Sequence, residues 1–176
     1  MYLKTSRLEV KTITPDSIDA LVELLTDDVV KQTYMVPDFP DRAAAEKLAQ
    51  RIRGLSENPE RYVAGIYLCG QLIGTLNETE KTEERIEVGY AILPRYHNKG
   101  YCTEALRAVI GDLFDRGFRQ VVAGAFEENI PSLRVMEKSG MTRQDHTDEL
   151  EYRGRVHKCI YYAATRDSWK EEIACR

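Results

Sequence analysis

The chain has no apolar run approaching the ~20 residues that a bilayer-spanning helix requires. Its most apolar short stretch is VVAGAF at 121–126, so a membrane partner is not expected. The start, MYLKTSRLEV, alternates apolar and charged residues and lacks the apolar core of a secretory signal, so a cytoplasmic protein is expected. Cysteine is sparse: Cys69, Cys102, Cys159 and Cys175 stand far apart with no paired spacing. That supports neither a zinc site nor a disulfide framework and leaves reduced thiols, mostly small buried hydrophobes, with no metal cofactor. An excess of basic residues is also missing. With 25 Lys and Arg against 29 Asp and Glu, the formal charge is −4. Nucleic acid is therefore not an expected partner, because such binding is dominated by cations neutralising phosphates. Neither GxxxxGKS/T nor GxGxxG occurs, so nucleoside-triphosphatase and dinucleotide-binding readings have no direct support. There is no internal repeat, low-complexity tract or linker.

What is present is an ordinary globular composition, 43% apolar and 31% charged over 176 residues. A chain of this length fits one domain that buries roughly two thirds of its unfolded surface. LEVKTI (8–13) alternates as a strand, and Thr14 and Pro15 then offer an N-cap and first helical position for Ile18, Leu21, Val22 and Leu25. After a proline-punctuated loop, a second helix starts at Asp41 and places Ala45, Leu48, Ala49, Ile52 and Leu55 on one stripe. RYVAGIYLCGQLIGTLNE reads as a hairpin turning at Cys69 and Gly70, followed by a charged solvent loop, TEKTEE. In RIEVGYAIL, period two sets Ile86, Val88, Tyr90 and Ile92 against Glu87, Gly89 and Ala91. A helix follows Thr103 and Glu104 and ends at Gly117, then a strand, QVVAGAF, then a short helix between Pro131 and Gly140. Two final strands, about 142–152 and 156–163, flank RGR. Strand–helix–strand order from 85 to 126 requires at least one parallel pairing, hence an α/β domain of about seven strands and four helices.

The turn LPRYHNKGYCTEAL (93–106) leads from a strand into a helix through a glycine and two basic residues. Main-chain N–H groups of a first helical turn lack intrahelical partners, and the helix dipole adds about half a positive charge there, so the turn is a candidate anion site. Gly100 would let the backbone approach a ligand, while Arg95 and Lys99 add charge; alternatively, Gly100 merely closes a tight turn.

The run VGYAILPRYHNKGYCTEALRAVI, together with TSRLEVKTITPDSIDAL and ENIPSLRVMEKSGM, resembles the acetyl-CoA-binding core of the GNAT N-acetyltransferases, in particular the RimJ/RimL-type branch, from about residue 6 to 165. The resemblance implies a mixed, twisted sheet splayed between its fourth and fifth strands (86–92 and 120–126), with acetyl-CoA in the splay. It departs from the family loop pattern at His97, in the place of Gln or Arg, and at Cys102, in the place of Gly or Ala. It assigns pyrophosphate contacts to the main chain of His97, Asn98, Lys99, Gly100, Tyr101 and Cys102, continuing to Thr103. The amide near Ile92 or Leu93 becomes the oxyanion donor. Asn129 and Ser132 fall near the pantetheine and thiol, or simply cap a helix, and Arg134 meets a CoA phosphate or solvent. Many relatives use a tyrosine as general acid where this chain has Met136, so Ser132 becomes the candidate proton donor. Glu149 or Glu151, on one face of their strand, or Glu87 becomes the candidate base; each could equally be a solvated strand residue. His146 and His157 lie in final strands where family substrates can pass, or are partly exposed structural histidines, and DHTDELE reads as a solvated edge or a lure for a cationic amine.

The reaction implied is attack of a neutral amine on a thioester carbonyl. An α-amine, with a pKa of ~7.7–8.0, is roughly one-tenth neutral at pH 7, whereas a lysine amine near 10.4 needs more help. The expectation is therefore an enzyme that acetylates the N-terminal α-amine of a protein such as a ribosomal one. A small amine (antibiotic, polyamine or metabolite) is the alternative acceptor, and a non-catalytic acyl-CoA-binding module the second alternative. Monomer and homodimer both stay open.

Overall fold

A computed structural model describes residues 2–169, and Cys175 lies outside them. The strands are β1 (Tyr2–Lys4), β2 (Leu8–Lys11), β3 (Val63–Leu68), β4 (Gln71–Lys81), β5 (Arg85–Ile92), β6 (Gln120–Phe126), β7 (Thr142–Tyr152) and β8 (Arg155–Thr165). The helices are α1 (Ile18–Thr26), α2 (Arg42–Glu57), α3 (Tyr101–Asp115) and α4 (Ile130–Lys138). The eight strands form one mixed sheet in the order β1-β2-β3-β4-β5-β6-β8-β7. This is one strand more than the sequence suggested, because Tyr2–Lys4 pairs antiparallel with Glu9–Lys11. By compactness the chain divides into Met1–Glu78 with Tyr90–Ala105, and Thr79–Gly89 with Leu106–Arg176.

In the first unit, the hairpin turns where expected, with Cys69 (φ 49) and Gly70 (φ 80) both left-handed, as a two-residue turn between twisted strands demands. This leaves Cys69 exposed, contrary to the reading of the cysteines as mostly buried. Thr14 and Pro15 begin a 3-10 turn, Pro15–Ser17, rather than α1 itself. The hydroxyls there find each other: Thr14 Oγ1 meets Ser17 Oγ at 2.8 Å, and Ser17 Oγ meets the Tyr67 hydroxyl at 2.9 Å. Asp41 caps α2 by accepting from the Ala44 N–H at 2.8 Å. Ala45 and Ala49 of the predicted stripe join Leu21, Leu25, Tyr67, Leu72, Ala91 and Leu93 in the core, with Leu48 and Ile52 packed against it. The alternation of β5 gives way after Val88: Tyr90 keeps some surface while Ala91 and Ile92 are both buried.

In the second unit, β5 pairs parallel with β6 through Arg85↔Gln120, Ile86↔Val121 and Glu87↔Val122. β6 and β7 both run antiparallel to β8. The loop TEKTEE is shorter than its composition suggests: β4 continues to Lys81, and the turn closes by Thr82 N–H to the Arg85 carbonyl at 2.8 Å. On α3, Leu106, Val109, Ile110, Leu113 and Phe114 are at most 3% exposed. At about 1.5–3 kcal/mol for each fully buried side chain, that stripe contributes on the order of 10 kcal/mol gross. The helix ends at Asp115, and Gly117 just beyond it has a φ of 105 that suits only glycine comfortably. β7 closes the sheet, its turn to β8 formed by Arg153 and Gly154 in left-handed conformation.

Candidate active site

Within the first unit, the strand β5 ends at Ile92, Pro94–Tyr96 makes one 3-10 turn, and α3 begins at Tyr101, so that Thr103 and Glu104 lie inside the helix rather than ahead of it. The turn is strapped from inside by His97, whose Nε2 lies 2.7 Å from the Ile92 carbonyl oxygen and donates to it. Asn98 (φ 58) and Gly100 (φ 78) both adopt the left-handed conformation, which asparagine tolerates and glycine takes freely. The His97 N–H is used on the Pro94 carbonyl at 3.0 Å, and the Glu104 N–H opens the helical ladder on the Gly100 carbonyl at 3.0 Å. Between them, the main-chain N–H groups of Asn98, Lys99, Gly100, Tyr101, Cys102 and Thr103 find no acceptor among the described residues. Such a run of donors at a helix entrance suits a diphosphate. His97, by contrast, turns both its amide and its ring to the protein.

The charges around this loop differ from expectation. Arg95 is held by both oxygens of Glu23, one at 3.1 Å, and this bond with Glu23 raises its already high pKa further. The pair is half-exposed, and such pairs contribute only about 0–1 kcal/mol, so a phosphate could compete for the guanidinium. Lys99 Nζ rests 3.0 Å from the Arg95 carbonyl. A further cation, Arg7, escaped sequence reasoning: it lies over the Tyr101 ring at 4.6 Å, donates to the Lys99 carbonyl at 2.9 Å and pairs with Glu104 at 2.6 Å. Glu104 also receives Thr5 Oγ1, Ser6 Oγ and the Arg7 N–H. Burial alone would raise its carboxyl, but the bonds from Thr5, Arg7 and Ser6 outweigh that and hold it below the ordinary range. Cys102 retains some surface, yet its thiol sits deep enough that burial pushes it up to about 12 and leaves it a neutral S–H.

Of the two oxyanion candidates, the Leu93 N–H is already donated to the Ile73 carbonyl at 2.9 Å.

Within the second unit, Asn129 does cap α4, its side chain accepting from the Ser132 N–H at 3.3 Å. Ser132 is half-buried, Arg134 is exposed, and Met136 is fully buried as a core side chain. The three candidate bases separate by register. Glu87 shares the face of Val122, Gly124 and Phe126, and through β8 that of Cys159, Tyr161 and Asp148. Glu149 and Glu151 are exposed on the opposite face. Glu87 is not idle: its oxygens accept from Thr79 Oγ1 and from Arg85 NH2, each at 3.1 Å.

Tyr161 forms the centre of that shared face. Its ring fills the space a Cβ on Gly124 would need, since that atom would lie 2.7 Å from Tyr161 Cε1. Its hydroxyl donates to Asp148 Oδ2 at 3.0 Å, and His146 stacks on it at 5.5 Å with Nε2 3.2 Å from Asp148 Oδ1. Burial first, then Cys159, Asp148 and Glu87, drive the Tyr161 phenol far above its ordinary value, so it stays protonated. Nothing in the sequence singled out Tyr161 or Asp148. His157 is buried against Phe126 rather than partly exposed as expected, and it also contacts Glu128. The stretch DHTDELE is a solvated edge except at Asp148, which serves Tyr161 and His146.

Comparison with known proteins gives a consistent picture. The family described as acetyltransferase (GNAT) domain matches residues 7–142. The Bacillus subtilis protein YnaD, an uncharacterized N-acetyltransferase, is 35% identical, with 96% of this chain and 99% of YnaD covered. A solved structure from Vibrio cholerae, named provisionally as a ribosomal-protein-serine acetyltransferase, superposes with a TM-score of 0.77 at 26% identity over 94% of this chain and 97% of that one. The fold is also that of RimL, a ribosomal L7/L12 alpha-N-protein acetyltransferase solved in complex with coenzyme A, at a TM-score of 0.80, 19% identity, and 96% and 99% coverage of the two chains.

Proposed function

We propose, from the premise that this chain belongs to the GNAT acetyltransferase family and is an acyl-CoA N-acyltransferase with acetyl-CoA as cosubstrate, that its acceptor is an α-amine, foremost the N-terminus of a protein such as a ribosomal one. Residues 1–176 are read as a single acetyltransferase domain working in the cytoplasm; among the described residues no helix is long and apolar enough to cross a membrane.

The observation that carries the α-amine is the state of the carboxylates. Glu87 is already engaged by Arg85 and Thr79, and Glu149 and Glu151 are solvated on the other face. A weakly equipped base suits an amine that is roughly one-tenth neutral at pH 7, not one with a pKa near 10.4. The name of the Vibrio cholerae neighbour, which designates a ribosomal-protein-serine acetyltransferase, agrees with that acceptor class.

The loop's residues fit the cosubstrate. The amides of Asn98, Lys99, Gly100, Tyr101, Cys102 and Thr103 would hold the diphosphate, with Lys99 and Arg95 lending charge and Arg134 available to a CoA phosphate. Asn129 and Ser132 serve the pantetheine and thiol end. The Ile92 N–H is the donor for the carbonyl oxygen that gains charge as the amine attacks. Glu87 receives the amine's proton, and Ser132 passes one to the departing thiol and is itself reprotonated from solvent. A thiol with a pKa near 8.5 leaves readily, so this acid contributes modestly.

Release of CoA thiol in the presence of acetyl-CoA, measured over peptides with free or blocked N-termini, lysine side chains and polyamines, tests the reading. Turnover confined to free N-termini supports it; turnover confined to lysine side chains or polyamines overturns it. A small amine is the second reading, favoured by a cavity of about 280 Å³ lined by Val22, Thr26, Lys31, Asp38, Phe39, Asp41 and Arg42, which gives such an acceptor room. Binding of CoA without turnover on any amine would reduce the protein to an acyl-CoA-binding module.

A further inference from the structure

His157 is buried at 9% exposure, yet its environment would accept an apolar ring. Phe126 stacks on it with centroids 4.3 Å apart and planes 15° from parallel, and Tyr152 lies 6.4 Å away. Packing alone would be satisfied by phenylalanine, without the cost of burying a polar imidazole. What the imidazole adds is Nδ1, which contacts Glu128 Oε1. Glu128 has a half-exposed side chain and stands immediately before Asn129, the cap of α4. The same three-residue loop is fastened by Glu127 N–H to the Lys158 carbonyl at 2.8 Å, by Lys158 Nζ to Glu127 at 3.2 Å, and by Asn129 N–H to the Phe126 carbonyl at 2.8 Å. The carboxyl of Glu128 is held below its ordinary range by its own main-chain amide and then by His157.

We propose that His157 is a positioning residue for the thiol end of acetyl-CoA: through Glu128 it fixes the loop that enters α4, and with it Asn129 and Ser132. This rests on the assignment of those two residues to pantetheine and thiol. The side-chain contacts of His157 are with Phe126, Tyr152 and Glu128, so the proposal places its influence on the pantetheine arm.

The test compares binding of CoA with binding of adenosine bisphosphate, the CoA fragment that lacks pantetheine, by calorimetry. His157→Phe keeps the ring and removes Nδ1, His157→Asn keeps a donor near the Nδ1 position, and Glu128→Ala removes the acceptor at a half-exposed site. Phe and Ala variants should each weaken CoA about tenfold, the equivalent of one ordinary hydrogen bond of positioning, while His157→Asn regains most of it. The fragment should stay within about twofold throughout. Equal weakening of CoA and fragment would expose a merely structural role, and unchanged CoA affinity in the Phe and Ala variants would overturn the inference. Should His157→Phe fail to fold, Glu128→Ala decides alone. Wild-type protein that does not bind CoA would bring down the proposed function itself, and this inference with it.

Discussion

Replacing Gly100 with valine sets the loop backbone against its own amides. At φ 78 a β-branched residue is strained by roughly 1–2 kcal/mol, and the added Cβ finds only the end of a flexible side chain, Arg7 NH2, at 3.4 Å. Steric collision is therefore minor, and the backbone penalty is the perturbation. The variant can relieve it by turning residue 100 out of the left-handed region, which rotates the N–H groups of 98–102 away from a common centre. Cosubstrate binding must then restore the strained conformation, and at 1.4 kcal/mol per factor of ten the affinity for CoA falls by about 5- to 30-fold. Gly70 supplies the control, because it has a similar φ of 80 and nothing within 4 Å of its missing Cβ, yet lies in a hairpin turn. Gly70→Val should lower the melting temperature by a similar amount and leave CoA affinity unchanged. Calorimetric titration with CoA on samples whose melting is checked in parallel reads both. A folded Gly100→Val protein that binds CoA as wild type does would refute the assignment of the diphosphate to these amides.

The depressed carboxyl of Glu104 gives a pH prediction: its stabilising effect is complete above the unfolded value near 4.3 and is lost as pH falls toward the lower folded value. Glu104→Gln should thus cost about 1–2 kcal/mol at pH 7 and flatten the acid limb of melting temperature against pH; an acid limb as steep as wild type would contradict it. Among glycines, Gly74→Ala should destabilise most, because its Cβ would lie 2.3 Å from the Ala91 carbonyl, a backbone atom that cannot swing aside. Gly124→Ala should cost about 1–3 kcal/mol by displacing the Tyr161 ring, and the reverse order of melting temperatures would show that the sheet yields more easily than the ring. In catalysis, Glu87→Gln should lower kcat/KM for an α-amine peptide by about 10²-fold while Glu149→Gln and Glu151→Gln stay near wild type. A larger loss in either of the latter would return the base to the opposite face.

Much of this was legible in residue order. The hairpin at Cys69 and Gly70, the cap at Asp41 and the stripe of α3 are all short-range features, set by turn geometry and period. The loop proposed for the diphosphate is also local, lying in a single strand-to-helix turn. What stayed hidden depends on partners distant in sequence. Arg7 meets Glu104 across 97 residues, so no spacing rule relates them. Period two correctly put Glu149 and Glu151 together, but the face on which Glu87 joins Tyr161 follows only from the register of β5, β6, β8 and β7. Arg95 appeared available to phosphate because its partner, Glu23, comes from α1.

Among the described residues β7 has a neighbour, β8, along one flank only, and Asp145, Asp148, Glu149 and Glu151 punctuate its 11 residues. Those negative charges discourage a second molecule from zipping on as a ninth strand. Neutral side chains at these positions would therefore invite intermolecular strand pairing along this rim.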